Sequence, residues 1–166
     1  MTEDDAERDL LLGRLRGQRR HIIDQLSGLD DTQLRTPVLP SGWTCLGLVR
    51  HLTLSDERYW FEVVMGGGPL DFWPAGDNGD WRVADDEPAD RVLAEYHAAI
   101  AASDALIAAT PLTAPPSSPE DWWPAAGLSF PDLRSVLVHV LVETATHAGH
   151  LDAVRELIDG RQYLVL

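Results

Sequence analysis

The chain has 166 residues, enough for one domain with a substantial hydrophobic core, which we expect to cover residues 1–166. Its 27 acidic and 13 basic residues give a net charge of -14, a balance that argues against nucleic-acid partners and anionic membrane surfaces. Because the sequence has no signal-peptide core, no apolar run of bilayer length and no second cysteine, we expect a cytoplasmic protein without a membrane span.

Four apolar segments with helical periodicity predict an all-α fold, namely a four-helix bundle with long connecting loops. The predicted helices cover about residues 5–27, 44–65, 87–110 and 131–160. The segment SGLDDTQL and the prolines after it are expected to break the chain behind the first helix. Ser41 or Thr44 can cap the second helix, and glycines 66–68 end it. Only the C-terminal YLVL could pair as a strand.

The second predicted helix carries polar side chains that are candidates for a site. His51 lies on the side shared by Ser55 and Tyr59, in the helix LGLVRHLTLSDERYWFEVV. Arg58 lies on the same side and could meet an anionic substrate group, although a solvated surface arginine is the commoner case. Cys45 points away from His51, so we expect a small buried side chain and not a nucleophile.

Two long loops rich in aromatic residues connect the last three predicted helices. Loops of this length are more often ordered covers or functional loops than flexible linkers. They could wall a pocket at one end of the bundle, or simply pack over that end. Residues 66–86 contain Phe72, Trp73 and Trp81, and residues 111–130 contain Trp122 and Trp123.

Polar side chains interrupt the core-facing stripe of the fourth predicted helix. Glu143 and His147 are one turn and about 40° apart, so both can reach one ion. Burying a carboxylate and an imidazole is costly unless something compensates them, and a divalent metal ion would do so. An internal hydrogen-bonded pair without metal explains the spacing equally well. His51 favours the metal site, because a site in a bundle core takes ligands from different helices.

The other histidines have plainer interpretations. His139 is expected to be a hydrogen-bonded core histidine. His150 could be a ligand, a partner for Glu143 or a residue that supports a ligand, and we favour the last. His21 and His97 lie in polar surroundings, so we expect ordinary surface residues.

Two segments resemble motifs of the DinB-like superfamily, in particular its branch of domains near mycothiol-dependent transferases. They are SGWTCLGLVRHL, which contains His51, and ETATHAGHLDAVRELIDG. The resemblance covers most of the chain and implies a bundle in the DinB arrangement with one divalent metal ion. The family's three ligands carry over to His51, Glu143 and His147. Many relatives have a histidine where this chain has Glu143, whereas mycothiol-dependent maleylpyruvate isomerases have a glutamate. The resemblance also implies a homodimer.

The resemblance and the residues together predict a metal-dependent enzyme that transfers a low-molecular-weight thiol to an electrophilic small molecule. Zn²⁺ is the favoured ion, with Ni, Fe or Mn as alternatives, and coordination would deprotonate the thiol. Arg58, Tyr59 and the loop tryptophans would shape the pocket. The alternatives are a metal-dependent hydrolase, a non-haem Fe(II) oxygenase, a non-catalytic metal- or ligand-binding stress-response module, and a bundle whose polar cluster is only structural.

Overall fold

The computed structural model describes residues 3–163, which form a bundle of four long helices and contain no strand. The all-α prediction is confirmed. Of the YLVL segment, residues 164–166 lie outside the described part of the chain. The elements in chain order are α1 (Glu3–Leu26), α2 (Asp31–Arg35), α3 (Cys45–His51), a π-helical segment (Leu52–Met65), α4 (Ala89–Ala109) and α5 (Leu133–Asp159), with 3-10 turns at Gly79–Trp81 and Pro124–Ala126.

Side-chain and glycine caps set the helix ends. The side chain of Thr44 accepts a hydrogen bond from the first turn of α3, and Asp132 does the same for α5. Gly160 ends α5 in the left-handed conformation, with φ at 80°. After α1 the sequence predicts only a break, whereas the structure has the short helix α2 there. Asp30 and Gln33 form a capping box, which satisfies the first N–H groups of that helix.

The second predicted helix runs unbroken from Cys45 to Met65 but changes its pitch at Leu52. In a π-helix each N–H bonds to the carbonyl five residues earlier, so a turn holds more residues than in an α-helix. Angular positions expected from α-helical spacing therefore do not hold beyond Leu52. The segment turns Asp56 and Glu57 into the interior, where both are buried.

The buried apolar residues form two clusters, one towards each end of the bundle. In the bundle α1 packs along α5, and α4 packs along the π-helical segment. The periodicity of the sequence supplies both clusters, because each of the four long helices, with residues 45–65 taken as one, contributes apolar residues to both. The first contains Leu15, Trp60, Phe61, Ile107, Leu137 and Val140, and the second contains Ile22, Leu48, Leu52, Tyr96, Ala148 and Leu151.

The sequence analysis predicted no apolar segment of bilayer length, but helix α4 meets that criterion. By length and composition alone, its 21 residues are apolar enough to cross a bilayer. The alanine-rich composition of the helix accounts for this result. Val92, Tyr96 and Ile107 of the same helix belong to the two core clusters, so packing within the bundle uses its apolar face.

Candidate active site

A layer of polar side chains crosses the bundle between the two apolar clusters. Its buried members come from all four long helices: Arg19, Asp56, Glu57, Ser103 and Thr144. Nε and Nη2 of Arg19 donate to the two carboxylate oxygens of Glu57 at 2.7 and 2.6 Å. Nη1 of Arg19 donates to Asp104 at 2.7 Å. The charges on this side of the layer are therefore neutralised by ion pairs, and Glu57 and Ser103 line a broad groove there. Asp56 lines a second, smaller cavity.

His51 lies at the end of α3, where a loop fixes its ring on two sides. Its Nδ1 donates to Oδ2 of Asp80 at 2.6 Å. The ring of Trp81 stacks on the imidazole with centroids 4.1 Å apart. In the neutral tautomer that donates this hydrogen bond from Nδ1, Nε2 carries the electron pair. A carboxylate on the far nitrogen is the usual support of a metal-binding histidine.

A glycine allows the loop to approach His51 this closely. A Cβ added to Gly47 would lie 2.5 Å from the carbonyl oxygen of Trp81. Any side chain there would push away the turn Gly79–Trp81, which carries Asp80. The contact between this turn and α3 therefore depends on the absence of a side chain at residue 47.

His147 meets His51 from the other side of the site. Their ring centroids are 5.0 Å apart and the rings are nearly perpendicular. Nδ1 of His147 is buried and has no hydrogen-bond partner among the described residues. Burial, with His51 and His150 nearby, lowers the pKa of His147 to about 4. The imidazole is therefore neutral near pH 7 and keeps an electron pair for a ligand.

A cavity of about 480 Å³ lies beside His51, which is one of its lining residues. Its acidic lining residues are Asp56 and Glu143. Burial, followed by the charges of Glu57 and Glu143, raises the pKa of Asp56 well above its ordinary value. Thr144 Oγ1 contacts Asp56 Oδ2 at 3.4 Å. The side chain of Glu143 has no hydrogen bond or ion pair with any other residue in the range 3–163.

Aromatic side chains form most of the remaining wall of the cavity. Tyr59 lines it and donates its hydroxyl to Glu120 of the second long loop at 3.0 Å. His139 also lines it, with its ring edge-on to Trp60 at 4.6 Å, and burial lowers its pKa. No described partner hydrogen-bonds to His139, so the expected hydrogen-bonded core histidine is wrong for this residue. Both long loops contribute to the mouth of the cavity: Leu70, Trp73, Trp122 and Leu128.

Three residues considered in the sequence lie away from the cavity. His150 is exposed, with its ring 5.7 Å from that of His147, and it does not line the cavity. Arg58 lines a separate groove, where it pairs with Glu62 at 2.8 Å and covers the ring of Phe72 at 3.6 Å. The π-helical pitch explains this displacement from the expected side. Cys45 is fully buried as predicted, and burial raises the pKa of its thiol to about 11.

The sequence prediction of a metal site is met only in part by the positions of its residues. His51 and His147 lie side by side, and Glu143 lines the same cavity as His51. Among residues 3–163, no group of three or more His, Cys, Asp or Glu side chains is arranged so that it could hold a metal ion. The sequence-based reasoning missed Asp56 and Asp80. An acid inside an apolar helix was a usable signal for the first, whereas nothing in the sequence connects the second to His51.

Comparison with known proteins identifies one family. The family model described as mycothiol-S-transferase matches residues 10–160. The matched range includes both histidines, both acids of the cavity and the two long loops. No curated protein and no solved structure matches this chain.

Proposed function

This chain belongs to the mycothiol-S-transferase family, and we propose that it transfers a low-molecular-weight thiol of the mycothiol type to an electrophilic small molecule. The proposal includes one divalent metal ion, with His51, Glu143 and His147 as its ligands. Zn²⁺ suits two imidazoles and one carboxylate, and such a set leaves a position open for the thiol. The observation that carries the proposal is the meeting of the two histidines beside an acid-lined cavity.

Three features of the donor set support a cation. His51 has Nδ1 engaged by Asp80 and Nε2 available. His147 is neutral and has a buried ring nitrogen without a partner in the described chain. The carboxylate of Glu143 lies near the buried Asp56 and is not paired with any described cation. Unpaired groups of this kind inside a bundle cost free energy, and a bound cation would remove that cost.

The chain's own residues have supporting roles in this chemistry. The metal ion, when bound, would lower the pKa of a coordinated thiol towards neutrality. Asp80 and Trp81 hold the ring of His51 in one orientation. The sulfur forms a bond to the electrophilic carbon, the leaving group departs with its electron pair, and the thiol proton passes to solvent. Cys45 is buried and protonated, so the attacking sulfur belongs to the cosubstrate.

The test combines metal analysis with thiol consumption. Protein purified without a nickel column should contain about one Zn²⁺ per chain. Mycothiol should be consumed with monobromobimane faster than in the uncatalysed reaction, and a chelator should abolish the difference. His147→Ala should lose both metal and activity. His97→Ala is the matched control, because His97 is an exposed histidine on α4.

The alternatives give different results. Equal metal content in His147→Ala and in the wild type would refute the ligand assignment. Turnover of an ester without any thiol would favour a metal-dependent hydrolase. If the protein catalyses neither thiol transfer nor ester hydrolysis but is thermally stabilised by a small ligand, a binding module is favoured.

A further inference from the structure

The mouth of the cavity is an exposed apolar surface. Leu70 is 47% exposed, Trp73 40% and Trp122 52%. All three line the cavity that reaches His51 and the buried Asp56. Large apolar side chains grouped around one opening are typical of a ligand-binding site, whereas single ones scattered over a surface need no explanation. The grouping therefore indicates that this opening receives an apolar molecule.

The charges of the cavity restrict that molecule further. The carboxyl and imidazole side chains that line the cavity are those of Asp56, Glu143, His51 and His139, and none of the described lining residues is an arginine. The hydroxyl of Tyr59 already donates to Glu120. Arg58 faces the separate groove on the other side of the π-helical segment. A carboxylate held at the mouth, away from the proposed metal position, would lose water without gaining an arginine or another bidentate donor in return.

We propose that the electrophile accepted at this site is uncharged and apolar, with an aromatic ring held between Trp73 and Trp122, and that electrophiles carrying a carboxylate remote from the reacting carbon are rejected. This inference rests on the proposed thiol transfer and adds the substrate class. The tryptophans supply flat apolar faces at the opening, and the reacting carbon points inward to the histidines.

Binding is tested first, without metal or thiol. Quenching of tryptophan fluorescence compares 4-nitrobenzyl alcohol with 4-nitrobenzoate, two nitroaromatics of similar size. The alcohol should bind at least about ten-fold more tightly than the carboxylate. Trp122→Ala should weaken binding of the alcohol, and Trp122→Arg should remove the discrimination against the carboxylate. Leu157→Arg is the matched control, because Leu157 is exposed on α5 but does not line the cavity.

Catalysis is tested with benzyl bromide and 4-(bromomethyl)benzoate as acceptors of mycothiol. In both reactions a C–S bond forms at the benzylic carbon, bromide leaves with the bonding pair, and the proton goes to buffer. After correction for the uncatalysed rates, kcat/KM should be at least about ten-fold higher for benzyl bromide. Trp122→Arg should narrow that ratio and Leu157→Arg should preserve it.

The outcomes separate the two proposals. Equal binding and equal transfer of the neutral and the charged compound would overturn the inference and leave thiol transfer standing. Selective binding of the alcohol without any transfer would support the neutral aromatic ligand class and refute thiol transfer. Sedimentation velocity tests whether a second copy of the chain binds at the apolar mouth of the cavity. If the protein is a dimer and Trp122→Arg converts it to a monomer, the mouth is a dimer interface and the inference is overturned.

Discussion

Replacing Arg19 by methionine tests whether the polar layer is held together by its buried ion pairs. Arg19 and Glu57 are 2% and 1% exposed, and two hydrogen bonds of 2.7 and 2.6 Å join them. Arg19→Met leaves the Glu57 carboxylate buried without its partner, which costs about 3 to 5 kcal/mol. Arg16→Met removes another arginine from α1 that also pairs with Asp104 at 2.7 Å, but Arg16 is 49% exposed. Its loss should cost only about 0.2 to 1 kcal/mol.

Urea denaturation followed by circular dichroism measures both free energies of unfolding. If Arg19→Met unfolds the protein at 25 °C, the stability of the double variant Arg19→Met with Glu57→Met is measured as well. Removing both charges leaves no unpaired ion between these two positions, so the double variant should regain most of the lost stability. Equal destabilisation by Arg19→Met and Arg16→Met, or a double variant less stable than Arg19→Met, would refute the reasoning.

Three further predictions concern the site and the loop beside it. Asp80→Asn removes the carboxylate that accepts a hydrogen bond from His51. It should weaken Zn²⁺ binding about 10- to 100-fold in a chelator competition, with little change in the urea midpoint. Unchanged Zn²⁺ affinity would exclude a role for Asp80 in orienting His51. Burial lowers the pKa of His147 from 6.5 to about 4, so the imidazole binds a proton more readily in the unfolded chain than in the folded one. The free energy of unfolding of the metal-free protein should therefore decrease as pH falls from about 7 to 4. His147→Gln should make this loss smaller, and an identical pH profile would contradict the assignment. Gly47→Ala, whose Cβ would lie 2.5 Å from the loop carbonyl, should destabilise the protein by about 1 to 3 kcal/mol in thermal unfolding. The control Gly13→Ala, which meets nothing within 4 Å, should stabilise by about 0.5 to 1 kcal/mol, and equal effects of the two would exclude the proposed close contact.

Much of the fold follows from local patterns. The apolar spacing of α5 predicts the buried positions Leu137, Val140, Leu151 and Val154, all of which lie in the core. The caps at Thr44 and Gly160 act within one turn of the residues that they serve, so they are readable from a short segment. The short helix α2 was not predicted, because its five residues are too few to show a repeating apolar pattern.

Part of the candidate site could also be predicted from the sequence, and part of it could not. Glu143 and His147 can be paired from sequence, since one helical turn fixes their relative position, and His51 joins them as a polar residue in a second apolar helix. Asp80 could not be assigned, because a loop of irregular backbone has no repeat that relates its residues to a helix. Arg58 was expected on the side of His51 and lies in another groove, because the change to π-helical pitch at Leu52 rotates everything that follows.

The amino-acid pattern alone predicts the number of long helices, their approximate ends, and the polar positions that interrupt their apolar stripes. These properties depend on contacts within a few residues, where chain geometry leaves few choices. The tertiary structure pairs Arg19 with Glu57 and buries Asp56 beside Glu143, which raises the pKa of Asp56. It also decided that Asp80 and Trp81 hold His51, and that tryptophans from two loops surround the opening. Such pairings depend on which helices pack together and on how much water that packing excludes, and neither quantity is encoded within a single segment.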